Sequence, residues 1–80
     1  MKLPRDVASK ELIKALNKIG YQVTRQVGSH IRLSIKKNEN EFHITIPNHN
    51  PIKIGTLNNL LKDISNQLSI SKDELIQKLF

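Results

Sequence analysis

Helical periodicity at both ends of the chain and three short alternating runs between them predict an α+β domain, an antiparallel sheet covered on one face by helices. Three observations carry this. Apolar residues recur at helical spacing over residues 9–19 and again over residues 56–64. Between these, apolar and polar residues alternate in VGSHIRLSIKK and EFHITIP, the period of a strand with one buried face. The joints between the alternating runs, around GS and KNEN, are short and turn-forming, so consecutive strands must run antiparallel.

The first element is a helix in ASKELIKALNKIG, where Leu12, Leu16 and Ile19 form one stripe with Ile13 alongside. Ser9 is its expected N-cap, Glu11 suits the first turn, and Gly20 suits the position after the last turn. In YQVTRQV, Tyr21, Val23 and Val27 share one face, opposite Gln22, Thr24 and Gln26. Arg25 falls on the apolar side by strict count, which places it at a sheet margin. Ile31, Leu33 and Ile35 then alternate with His30, Arg32, Ser34 and Lys36, and Phe42, Ile44 and Ile46 with Glu41, His43 and Thr45. PNHNPIKIG reads as a loop, punctuated by Pro47, Pro51 and Gly55. A second helix follows in TLNNLLKDI, with Leu57, Leu60, Leu61 and Ile64 as its stripe and Thr56 as its expected cap. In SKDELIQKLF, Ser71 and Glu74 have the spacing of a capping box ahead of Leu75, Ile76 and Leu79, which predicts a short last helix.

Strand register decides what the uncovered sheet face carries. Across KNEN, pairing Lys36 with Glu41 puts Ser34 opposite His43, Arg32 opposite Thr45 and His30 opposite Pro47. Two registers compete at the first hairpin. A two-residue Gly28-Ser29 loop pairs Val27 with His30 and turns valines to the polar face. A three-residue loop pairs Gln26 with His30 and Thr24 with Arg32, and keeps Tyr21 and Val23 with Leu33 and Ile35. The second is expected, because a one-residue slip exposes the whole apolar set. The open face then carries His30, Arg32, Ser34, Lys36, His43, Thr45, Thr24, Gln22 and Gln26, with Tyr21 and Phe42 on the core side.

Eighty residues suffice for one small domain with a thin core, so chemistry is expected on an open face or in a shallow groove. Thirteen Lys and Arg against seven Asp and Glu leave a net charge of +6 and a pI near 9.9. That excess favours a polyanion, nucleic acid first, then an acidic protein or a membrane surface, although solubility alone also accounts for such a charge. The chain has no cysteine, which excludes disulfides and thiolate metal sites. It shows neither an apolar run of about 18 residues nor a signal peptide, and a cytoplasmic protein without a membrane role is expected.

Among chemistry-bearing residues, His30 stands out. Histidine titrates near neutrality and moves protons in either direction, and RNA brings its own nucleophile in the ribose 2′-OH. An exposed strand histidine without function fits the spacing equally well, and residue spacing alone does not choose. His30, His43 and His49 match no zinc spacing, so neither a metal nor any other cofactor is expected. His49 reads as a loop side chain bonded to backbone. Ser29 and His30 point to opposite faces and lack an orienting carboxylate, which argues against a hydrolase triad. Lys53, Gly55 and Thr56 stand at a helix start, where a phosphate can dock or where they serve only as ordinary capping. A face with almost no aromatic residues offers little base stacking, and points instead to reading of phosphates, ribose hydroxyls and shape.

The pieces ELIKALNKIGY, RQVGSHIRL, ITIPNHNPIKIGTLNNLLKDI and LSISKDELIQKLF, from about residue 9 to the end, resemble the HicA toxin family, small mRNA interferases of bacterial and archaeal toxin–antitoxin pairs. The most specific part is the pairing of Arg25-Gln26-X-Gly28-Ser29-His30 with Pro47-X-His49 and Lys53-X-Gly55-Thr56-Leu57. The resemblance implies a fold related to the double-stranded-RNA-binding domain, α-β-β-β-α with a short C-terminal helix. It implies metal-independent cleavage of mRNA with His30 as the catalytic residue, and inhibition by a cognate HicB-type antitoxin protein. One domain over residues 1–80 is expected, with residues 1–8 as an extension ahead of the family's start. On this reading His30 serves as general base and general acid, and whether a second residue assists it is open. Arg25, Arg32 and Lys36 stabilise charge on the scissile phosphate, Lys53 and Thr56 hold neighbouring backbone, and Gly28 and Ser29 approach a phosphate. A non-catalytic double-stranded-RNA-binding module is the rival reading, and a domain that docks an acidic protein is a third.

Overall fold

The computed structural model describes residues 6–80, in the order α1 (Ser9–Lys18), β1 (Gln22–Val27), β2 (His30–Lys37), β3 (Asn40–Pro47), α2 (Ile54–Leu68) and α3 (Lys72–Leu79). Most of the expected extension, residues 1–5, lies outside the described residues. The architecture is the expected α+β one: a three-stranded antiparallel sheet in the order β1-β2-β3, with helices on one face.

The α1 stripe is buried as its spacing requires, Leu12 and Leu16 completely. Its N-cap, however, is Ala8 rather than Ser9; the Ala8 backbone is extended, and its N–H donates to Glu11 Oε1 at 3.5 Å. Ser9 is drawn inside the helix because a distant loop claims its polar groups. Its N–H donates to the His49 carbonyl (3.0 Å) and its hydroxyl to Asn48 Oδ1 (2.9 Å). At the other end Tyr21 N–H reaches the Leu16 carbonyl and Gly20 N–H the Asn17 carbonyl, the two bonds of a Schellman motif. Gly20 takes φ +113, and a Cβ there would lie 3.2 Å from Ile35 Cδ1, so both backbone and space require glycine.

The β2–β3 register is the expected one, His30↔Pro47, Arg32↔Thr45, Ser34↔His43 and Lys36↔Glu41. Asn38 and Glu39 both take positive φ (+51 and +70), the signature of a type I′ hairpin turn. The β1–β2 hairpin departs from expectation. Val27 pairs with His30, Gln26 with Ile31 and Arg25 with Arg32, so the loop is the two-residue Gly28-Ser29 turn with Gly28 at φ +59. The register then shifts, and Val23 pairs with Leu33 and Gln22 with Ser34. Thr24 is the extra residue of a β-bulge, which lets a tight turn and a core-matched register coexist on one strand. Gln26 therefore turns to the helix side, while Val27 and Arg25 join the open face.

Leu33, Ile46, Leu61, Ile64 and Leu75 are fully buried in one apolar cluster with Leu12, Leu16 and Tyr21. Val23 pairs with Leu33 yet is 47% exposed, on a strand at the edge of the sheet. In α2 the apolar stripe is as expected, but the helix begins at Ile54 with Lys53 as N-cap, so Thr56 lies inside the first turn instead of capping it. The first intrahelical bond runs from Leu57 N–H to the Lys53 carbonyl at 2.9 Å, and no side chain caps the turn before it. In α3 the Ser71 hydroxyl accepts from Glu74 N–H at 3.1 Å, as its spacing predicts.

Candidate functional site

Side chains that alternate away from the helices make one open, polar sheet face. Down β2 it carries His30, Arg32, Ser34 and Lys36, and β3 sets Pro47, Thr45, His43 and Glu41 opposite them. The bulge in β1 brings Arg25 directly across from Arg32, two pairs along from Val27 and His30 and next to them on the open face. Like charges directly opposite one another in a sheet are destabilising. Among the described residues neither guanidinium forms an ion pair. Two uncompensated arginines beside His30 are an arrangement that an anion would relieve. The His30 imidazole is exposed and has no hydrogen-bond partner among the described residues.

The remaining expected residues distribute around this pair. Gly28 forms the turn next to His30, and nothing stands within 4 Å of where its Cβ would be, so the turn is open to a ligand. The Ser29 carbonyl accepts Asn48 N–H at 2.7 Å, which ties the turn to the loop after β3. Lys53 and Thr56 line a cleft of about 230 Å³ with Pro47, His49 and Ile52. That cleft begins at the residue paired with His30. Lys36 lies elsewhere: six residues along β2 place it about 20 Å from His30, too far for both to touch one phosphate.

His43 is engaged in a network that strand alternation only half revealed. Its Nδ1 lies 2.6 Å from Ser34 Oγ, which is 3.0 Å from Thr24 Oγ1, and its Nε2 lies 3.4 Å from Glu41 Oε1. Pairing placed Ser34 opposite His43 from the sequence, but Thr24 enters the chain only through the bulge. His49 also differs from expectation. Its main chain is bonded, the N–H to the Pro47 carbonyl (3.0 Å) and the carbonyl to Ser9, but the imidazole has no partner among the described residues. Nothing in PNHN flags this, since its two asparagines and main chain offer partners that the ring does not take.

Among the described residues no group of three His, Cys, Asp or Glu side chains is disposed to hold a metal ion, and no helix is long and apolar enough to cross a membrane. The open face also lacks an aromatic platform, since Tyr21 is fully buried and Phe42 packs against the core.

Fold and surface define a small two-layer α+β domain whose candidate functional surface is a histidine- and arginine-bearing sheet face, with helices on the other side. Residues 9–65 match the family model described as HicA toxin of bacterial toxin–antitoxin, and the chain belongs to that family of toxins. No curated protein and no solved structure matches the chain.

Proposed function

We propose that this toxin is a metal-independent endoribonuclease that cleaves mRNA in the cytoplasm, with His30 as its general base, and that a cognate HicB-type antitoxin neutralises it by covering the open face. The observation that carries the reading is the unpartnered His30 imidazole two pairs along, on the same face, from the uncompensated Arg25 and Arg32. His30 removes the proton of a ribose 2′-OH, whose oxygen attacks the adjacent phosphorus. Arg25 and Arg32 bind the phosphate and stabilise the negative charge that develops on it. Proton transfer of this kind contributes about 10²–10⁴-fold. Without aromatic side chains to stack bases, the face holds RNA through phosphates and 2′-hydroxyls.

The test is cleavage of a long transcript by purified wild type and His30→Ala, with and without EDTA. Wild type is expected to cut under both conditions, and His30→Ala to lose about 10²-fold or more while keeping its thermal melt and most of its RNA affinity. Binding without cleavage by wild type establishes the non-catalytic RNA-binding module instead. Full activity of His30→Ala removes this histidine from the mechanism.

A further inference from the structure

A single base accounts for only half of RNA cleavage, because the departing 5′ oxygen also needs a proton. Three histidines are available, and the structure separates them. The His43 ring is held on both sides, by Ser34 and Glu41, and sits opposite a residue four positions down β2 from His30. That is about 13 Å along the strand, beyond the reach of one phosphodiester. His49 is different in both respects. It follows Pro47, the direct partner of His30, by two residues, so the two Cα atoms lie within about 12 Å of each other. Its imidazole is exposed, is unpartnered among the described residues, and lines the cleft that starts at Pro47.

The backbone carrying that ring is fastened from three directions. Asn48 N–H donates to the Ser29 carbonyl at 2.7 Å, inside the very turn that sets His30. The His49 carbonyl accepts from Ser9 N–H at 3.0 Å, and Asn48 Oδ1 accepts the Ser9 hydroxyl at 2.9 Å. The loop is thus tied to the His30 hairpin and to α1, with the imidazole of His49 left uncommitted. Lys53, on the same cleft, supplies a cation beside it.

We infer that His49 is the general acid of the cleavage reaction, facing His30 across the scissile phosphodiester on either side of Pro47. The inference rests on the ribonuclease reading above. Neutral His30 takes the 2′-OH proton as O2′ bonds to phosphorus. The P–O5′ bond breaks, and the His49 imidazolium gives its proton to the departing O5′. The products are a 2′,3′-cyclic phosphate and a 5′-hydroxyl. One proton has passed from substrate to His30 and one from His49 to product, and exchange with water resets both rings.

The experiment replaces the leaving oxygen. An oligonucleotide with a single ribonucleotide is built on a cleavage site mapped with the wild-type protein, once with O5′ and once with a bridging sulfur that departs as a thiolate without a proton. His49→Ala and His49→Gln are expected to lose about 10²-fold or more on the oxygen substrate and only a few-fold on the sulfur one. His30→Ala is expected to lose activity on both. His49 variants that match wild type on oxygen, or that lose equally on both substrates, overturn the inference, and so does rescue of His30→Ala by sulfur. A wild type that leaves both intact, and every transcript uncut, removes the ribonuclease reading itself and this inference with it.

Discussion

Tyr21 is completely buried, and its hydroxyl donates to Gln67 Oε1 at 2.7 Å, while Gln67 Nε2 donates to the His43 carbonyl at 2.7 Å. One amide from α2 thus satisfies the Tyr21 hydroxyl and fastens β3 to the helix layer. In Gln67→Leu the hydroxyl is stranded in an apolar setting, which costs about 1–3 kcal/mol. In a domain of this size that lowers Tm by roughly 5–15 °C. Tyr21→Phe removes the hydroxyl and leaves a half-buried amide that water can reach, so about 1 kcal/mol is lost. The double variant Tyr21→Phe/Gln67→Leu is expected to be more stable than Gln67→Leu alone, since nothing is then stranded. Alkaline titration gives a second readout. Burial pushes the Tyr21 hydroxyl up from 10.0 to about 12. The unfolded tyrosine ionises near pH 10, so from there to about pH 12 the unfolded state holds fewer protons and stability falls as pH rises. This contribution is whole below about pH 10 and amounts to about 3 kcal/mol at most. Urea titrations of wild type and Tyr21→Phe across pH 8–11.5 isolate it, because the lysines are common to both. Parallel pH curves for the two proteins, or a double variant no better than Gln67→Leu, refute the account.

Ser9→Ala removes the buried hydroxyl that holds Asn48, and is expected to cost about 1–2 kcal/mol by urea melt and to raise amide exchange across residues 47–50 ahead of the sheet. Arg25→Ser relieves a repulsion in the free protein while removing an anion contact. It is therefore expected to leave the melt unchanged or slightly higher by thermal denaturation, and to weaken RNA binding several-fold and flatten its dependence on salt by filter binding at graded ionic strength.

Most of the architecture was legible in the sequence. Leu57, Leu60, Leu61 and Ile64 fall on one side of a helix whatever surrounds it, and alternation put Ile31, Leu33, Ile35, Ile44 and Ile46 on the buried face, although Lys37 and Asn40 were read as turn. The site was legible in part. His30 and Arg32 come from that same alternation, and Ser34 opposite His43 follows from a turn with only one sensible length. Arg25 was expected on a phosphate, but strict alternation put it on the apolar side and gave no geometry for that role. Its place opposite Arg32 depends on a bulge at Thr24 that counting by twos cannot represent.

What the sequence determined by itself is therefore local: where helices and strands form, which face of each is apolar, and that a histidine follows a glycine turn at the head of a basic strand. These are properties of side-chain order, and the 3.6- and 2-residue periods express them directly. Only the tertiary structure decided the rest. The Gly28-Ser29 turn and the Leu33 core contact impose registers one residue apart on β1, and folding reconciles them by bulging a strand at the uncovered edge. Ser9 gives up its capping position to Asn48, thirty-nine residues away. That contact, with the pairing of His30 to Pro47, is what sets the His49 loop beside His30, since partners so distant in sequence meet only when the whole core closes around them.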